Sequence, residues 1–127
     1  MDTLLVMNRI MGRYKSILKN EEVNLTFNET LAIEAIKRKR CTKNNVKDVL
    51  LKDKSYISRL IDSLLSRGIL EKSGNEYLLT GEGEEIYRRT NEIYTFIREE
   101  YKKEITDEEL DVIIKSLNSI EEALKSY

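Results

Sequence analysis

Nine basic side chains, Lys37, Arg38, Lys39, Arg40, Lys43, Lys47, Lys52, Lys54 and Arg59, stand between positions 37 and 59 against two acids, Asp48 and Asp53. The stretch carries +7 in a chain whose formal net charge is -1. Its counterweight lies further on, where nine acids face three bases from Glu99 to Glu122, a net of -6. Charge segregated in this way predicts one face that approaches a polyanion and another that stays in solvent. Such side chains neutralise phosphates, and an Arg among them can also make a bidentate contact to guanine.

Other chemistries have little to work with. The 127 residues include no His and one Cys, which removes the commonest general base and metal ligand and leaves no thiolate cluster. No Gly-rich phosphate loop and no nucleophile paired with a base can be found. The expectation is a protein that is no enzyme and needs neither metal nor cofactor. The acidic run Glu99 to Asp111 reads as a solvated helix junction, because Asp107, Glu108 and Glu109 fall in a first helical turn, where negative charge is favoured. An unpaired Cys, no signal-peptide layout and no apolar run near the roughly 20 residues that span a bilayer predict a cytoplasmic protein without membrane contact. The length suits one domain.

The elements that must position the basic stretch follow from hydrophobic period and caps. Leu4, Met7, Met11, Tyr14 and Leu18, widened by Ile10 and Ile17, predict an amphipathic helix ending near Asn20. Thr26-x-x-Glu29 is a capping box for a second helix running to about Lys39, with Leu31, Ala32, Ala35 and Ile36 on one side. Thr42 can cap a short third helix holding Val46, Val49 and Leu50. Asp53 or Ser55 can cap a fourth, whose inner set is Ile57, Leu60, Ile61, Leu64 and Leu65 and whose end is marked by Gly68. Ile69 to Lys72 and Tyr77 to Thr80 read as a hairpin turning at Gly74 and Asn75. A long helix from about Glu82 to Glu104 follows, then a final one opened by Thr106-x-x-Glu109 with Leu110, Ile113, Ile114, Leu117, Ile120 and Leu124 in one stripe.

A short helix, a tight turn, a second helix with a polar outer face and a hairpin predict a mostly α fold of winged helix-turn-helix type. Lys54 to Ser66 is then the helix sized for a major groove. The candidate contacts to duplex DNA are Lys43, Lys54, Ser55, Tyr56, Ser58 and Arg59, with Lys72 and Asn75 from the hairpin. Ser55, Tyr56 and Ser58 can hydrogen-bond base edges or phosphates, and Arg59 can read guanine or clamp a phosphate.

Leu25-Thr26, the run from Asp53 through Ser58-Arg59 to Asp62, Leu64 to Leu70 with Gly68, and Leu79-Thr80-x-x-Gly83 together resemble the multiple-antibiotic-resistance regulator (MarR) family over nearly the whole chain. The resemblance implies a transcriptional regulator that binds a pseudo-palindromic promoter site as a homodimer. It implies a repressor relieved by a small-molecule or redox signal, with residues 25–83 as the DNA-binding lobe and 1–24 and 84–127 as dimerisation helices. The hairpin departs from the family's Asp-x-Arg wing, since Glu71-Lys72-Ser73-Gly74-Asn75-Glu76 offers Lys72 as its one base.

By the same resemblance Tyr14, Tyr87 and Tyr94 line a candidate pocket for an aromatic effector, against a competing role in packing. Cys41, beside Lys39, Arg40 and Lys43, is a candidate redox sensor if those cations depress its pKa, against an incidental, partly buried thiol. The weak wing and slightly acidic total leave one other class open: a winged-helix module for protein interaction or dimerisation that has lost specific DNA binding.

Overall fold

A computed structural model describes residues 2–127. Its elements follow in the order α1 (Thr3–Asn20), α2 (Phe27–Lys37), α3 (Lys43–Leu50), α4 (Lys54–Ser66), β1 (Leu70–Ser73), β2 (Glu76–Leu79), α5 (Gly81–Tyr101) and α6 (Asp107–Leu124). The fold is therefore mostly α with one antiparallel hairpin, as the sequence predicts. Both expected capping boxes form, Thr26 with Glu29 and Thr106 with Glu109, and Thr42 makes a third with Asn45. Asp53, rather than Ser55, caps α4 by accepting from the Tyr56 N–H at 2.8 Å.

α2 stops two residues short of the expected end. Lys39 adopts φ +70, and the Arg40 N–H reaches back to the Ala35 carbonyl while the Lys39 N–H reaches Ile36. This is a Schellman closure. The same pattern ends α1 at Glu22 (φ +57) and α4 at Gly68 (φ +73), with the Val23 and Ile69 N–H groups bonded to the Leu18 and Leu64 carbonyls. Gly, the residue that favours this conformation, occupies only the third of these positions.

Contacts divide the chain into two units, one ending at Thr90 and one spanning Asn91–Tyr127. The core of the first is built from one face of each element: Ile33 and Ile36 of α2, Val46 of α3, Ile57, Ile61 and Leu64 of α4, then Ile69, Leu70 and Tyr77. Burying a side chain of this size contributes about 1.5–3 kcal/mol, so α4, with four buried apolar residues, is held firmly. Of the apolar residues of α3, Val46 is buried and Val49 is 44% exposed. In the hairpin Leu70 pairs with Leu79 and Lys72 with Tyr77, and the Tyr77 N–H donates to the Cys41 carbonyl at 2.9 Å, which ties β2 to the chain between α2 and α3.

The hairpin runs directly into α5. Thr80 Oγ1 donates to the Gly68 carbonyl at 2.6 Å and accepts from the Gly83 N–H at 3.0 Å, so one hydroxyl joins the end of α4 to the start of α5. In the second unit, Lys102 and Asp107 pair at 3.2 Å across the turn into α6. No residue of α6 is buried, and Leu4, Leu5, Ile10 and Met11 of α1 are likewise exposed. Among the described residues no helix is long and apolar enough to cross a membrane.

Gly83 marks the tightest approach, because a Cβ there would lie 2.1 Å from the Ile69 carbonyl oxygen. Gly83→Ala should lower unfolding stability by about 3 kcal/mol or more. Gly12→Ala, in open space on α1, should raise it by about 0.5–1 kcal/mol. Urea denaturation of both variants measures the contrast.

Candidate nucleic-acid interface

The inner face of α4 is consumed by the core, so its outer face is defined by subtraction. Lys54, Ser55, Arg59 and Asp62 are exposed there, and Ser58 is half-buried beside them. Lys43 lies half-buried in the first turn of α3. Lys72 and Asn75 are exposed on the hairpin, which carries Glu71 and Glu76 as well.

The basic stretch divides into two sets. Lys37 pairs with Glu84 at 2.8 Å and Arg38 with Glu34 at 2.5 Å, which removes the end of α2 from the free positive charge. Lys43, Lys47, Lys52, Lys54 and Arg59 enter no ion pair among the described residues. With Lys39 and Arg40 of the α2–α3 connection, which are likewise outside any ion pair among the described residues, the unpaired cations run from that connection through α3 and the turn to α4.

Tyr56 is placed differently from its neighbours. Its ring lies 5.4 Å beneath the Lys52 ammonium, and its hydroxyl accepts from Asn28 Nδ2 at 2.9 Å. The side chain therefore fastens the first turn of α4 to the first turn of α2, and its own O–H proton is what remains for donation. Arg59 borders a shallow depression of about 260 Å³ with Thr26, Glu29, Tyr56 and Leu60.

The other end of α4 is fastened by Arg67. Its guanidinium donates to Glu29 Oε2 at 3.2 Å and to the Asn24 carbonyl, while Glu29 Oε1 accepts from the Thr26 N–H at 2.8 Å. One carboxylate thus closes the α2 capping box and holds the C-terminal end of α4. The sequence reading took Glu29 only as a cap, and Arg67 carried no role in it. The neighbouring Gly68 was the available signal, since it fixes where the last side chain of α4 leaves the helix.

Tyr14, Tyr87 and Tyr94, expected to share a pocket, are not among the residues lining the two cavities beside Arg67. Tyr14 packs on Phe27 with ring centroids 5.9 Å apart. Tyr87 sits under the Lys37 ammonium at 5.5 Å, with its phenol pushed up by burial and then by Glu34. Tyr94 belongs to the second unit and is half-buried. The first unit instead holds a cavity of about 440 Å³ among Val23, Leu25, Arg67, Ile69, Ile86 and Arg89. A second of about 720 Å³ lies between α1 and the start of α2 and also reaches Arg67.

Cys41 is buried, and its thiol donates to Glu76 Oε2 at 3.3 Å. Burial, and then the Glu76 carboxylate, push its pKa up. This is opposite to the depression expected from neighbouring cations, because burial and the Glu76 carboxylate outweigh the weak pull of the Lys39 ammonium.

A core of three helices whose second and third form a helix-turn-helix, closed by a hairpin and flanked by further helices, defines a winged helix-turn-helix protein. Solved structures share this fold. The chain superposes on a MarR/EmrR family transcriptional regulator from Acinetobacter sp. ADP1 with a TM-score of 0.81 at 18% identity, covering 97% of this chain and 92% of that one. A mutant MarR from E. coli complexed with operator DNA gives 0.70 at 22% identity, with 92% of each chain covered. BpsR of Bordetella bronchiseptica, whose DNA binding is regulated by 6-hydroxynicotinic acid, gives 0.76 at 16% identity, covering 95% of this chain and 94% of that one. The fold is that of MarR-family regulators, as the sequence resemblance implied. Comparison with curated proteins found no match.

The sequence model of one family, described as "Transcription factor MotA, activation domain", matches residues 14–107. The chain belongs to that family, which is one of transcription factors.

The raised thiol has a direct consequence. As pH rises, an unfolded Cys41 ionises before the folded one. The stability linked to this group is therefore full below the unfolded pKa and lost as pH climbs through the folded value. At pH 8.5 iodoacetamide should alkylate the native protein at least tenfold more slowly than the urea-unfolded chain, since the thiolate is the reactive species. Equal rates would restore Cys41 as a candidate sensor.

Proposed function

We propose that this chain is a transcriptional regulator that binds duplex DNA as a homodimer, with α4 in the major groove. The observation that carries this reading is the outer face of α4, where Lys54, Ser55 and Arg59 are exposed and the two cations have no acidic partner among the described residues. Cations kept free of ion pairs on the solvent side of a helix-turn-helix suit phosphate neutralisation and base contact. The operator-bound relative supports the same use of the fold.

Dimerisation is supported by the apolar stripes. In α6, Ile113, Leu117, Ile120 and Leu124 follow one another at spacings of three and four and are 37–63% exposed, a pattern that seeks a partner helix. A dimer presents two α4 helices to half-sites about one turn, or 10 base pairs, apart. Repression by promoter occlusion, relieved by a small molecule, completes the proposal. The relative regulated by 6-hydroxynicotinic acid and the cavity bordered by Arg67 support it, because a ligand that draws Arg67 away from Glu29 loosens the end of α4. The buried, proton-retaining Cys41 favours a ligand over an oxidant as the signal.

A second reading has its own support. The matching family is described as an activation domain, and the hairpin presents Lys72 between Glu71, Glu76 and the 40% exposed Leu78, a surface better suited to protein than to phosphate.

Titration of fluorescent duplex from the chain's own upstream region, against random competitor at two salt concentrations, separates the two. Specific, salt-sensitive binding is expected, and no binding at low salt would leave the protein-interaction reading. Arg59→Ala should cost about 1–3 kcal/mol of specific affinity. Lys43→Ala and Lys72→Ala should each weaken all duplexes alike and reduce the salt slope by about 1. In sedimentation, Leu117→Glu should turn the dimer into a monomer and weaken operator binding with it. A variant that stays dimeric would remove α6 from the interface.

A further inference from the structure

One residue on the outer face of α4 runs against its surroundings. Asp62 is exposed, lies three residues beyond Arg59 on the same helical face, and makes no hydrogen bond or ion pair among the described residues. It contributes nothing visible to the fold. Asp is among the weaker helix formers in a helix interior, it is past the first turn, where the dipole would favour it, and the nearby Arg67 is committed to Glu29. A carboxylate on a face that approaches phosphates also opposes the electrostatic attraction that drives duplex binding.

A carboxylate in that location is favourable only over base edges, and there its chemistry is selective. Ionised Asp is an acceptor and no donor. In the major groove it is matched by the amino group of cytosine, met at adenine by an amino group flanked by the N7 acceptor that repels it, and mismatched by the acceptor edges of guanine and thymine. We propose that Asp62 is a specificity-determining residue that accepts from a cytosine amino group, an inference that rests on the duplex-binding reading above. Three residues advance a helix by about 4.5 Å, against about 3.4 Å per base step. The cytosine read by Asp62 therefore lies about one base pair from the base contacted by Arg59. The same carboxylate disfavours binding wherever that amino group is missing, so it lowers affinity for random duplex while sharpening the choice of site.

The test starts from a duplex selected by the wild-type protein out of a randomised library, with every base pair of a half-site then replaced in turn. For wild type, replacing the cytosine should cost roughly 5- to 100-fold in affinity. For Asp62→Ala the penalty at that pair should fall to within about twofold while penalties at the other positions persist, and affinity for random duplex should rise. Asp62→Asn should shift the preference at that pair to adenine, which an amide reads through N6 and N7. Circular dichroism checks that both variants remain folded, as substitution of an exposed side chain predicts. An unchanged penalty profile overturns the proposal, and so does a uniform loss at all positions, since that reports a general charge or folding effect. Failure of the duplex-binding reading is distinguishable, because wild type would then select no sequence at all.

Discussion

What α4 can present depends on how it is held, and it is held at three places. Along its length Ile57, Leu60, Ile61 and Leu64 are buried in the core of the first unit. At its start Tyr56 reaches Asn28 of α2, and beyond its end Arg67 reaches Glu29 and the Asn24 carbonyl. The polar ties converge on the first turn of α2 and the residues leading into it, so α4 is braced against one short stretch of chain. Glu29 bears the largest share of that duty. It is buried, and it serves a backbone donor and a guanidinium at once, so its loss would leave the Thr26 N–H without its acceptor and Arg67 with the Asn24 carbonyl alone.

With α4 fixed, the partition of charge acquires a meaning that the net sum conceals. Lys37 and Arg38 are answered by Glu84 and Glu34 and serve the seam of α2 with α5 and the surface of α2 itself. These exposed pairs contribute little stability, but they withdraw charge from the end of α2. The remaining cations sit in the α2–α3 connection, on α3, on the turn and on α4, where among the described residues none is held in an ion pair and Lys52 lies over Tyr56. Asp62 stands among them as the one carboxylate on the outer face of α4, which makes that face selective as well as attractive.

The hairpin is anchored by its buried side. Tyr77 fills the core and bonds to the Cys41 carbonyl, while the Cys41 thiol bonds to Glu76, so this cysteine acts as a strut between the α2–α3 connection and β2. Its neighbours in sequence are cations, yet its neighbour in space is a carboxylate. The tyrosines show a similar displacement. Tyr14 packs on Phe27 and Tyr87 lies under Lys37, and neither lines the open volume beside Arg67 and Arg89.

Much was legible in the residues alone because it depends on local physics. The capping boxes at Thr26 and Thr106, the turn at Gly68, the inner stripe of α4 and the order of helix, turn, helix and hairpin all follow from neighbours within a few positions, where period and cap chemistry act directly. The early end of α2 was not legible, because Lys39 takes the left-handed conformation without being Gly. Contacts across large sequence separation were equally hidden: Arg67 with Glu29, Asn28 with Tyr56, Cys41 with Glu76. The sequence by itself determined which helices form and which face of each is apolar. Only the tertiary structure decided which charges are neutralised, which way the Cys41 pKa moves and where the cavities lie, because each depends on distances between residues that the chain order leaves open.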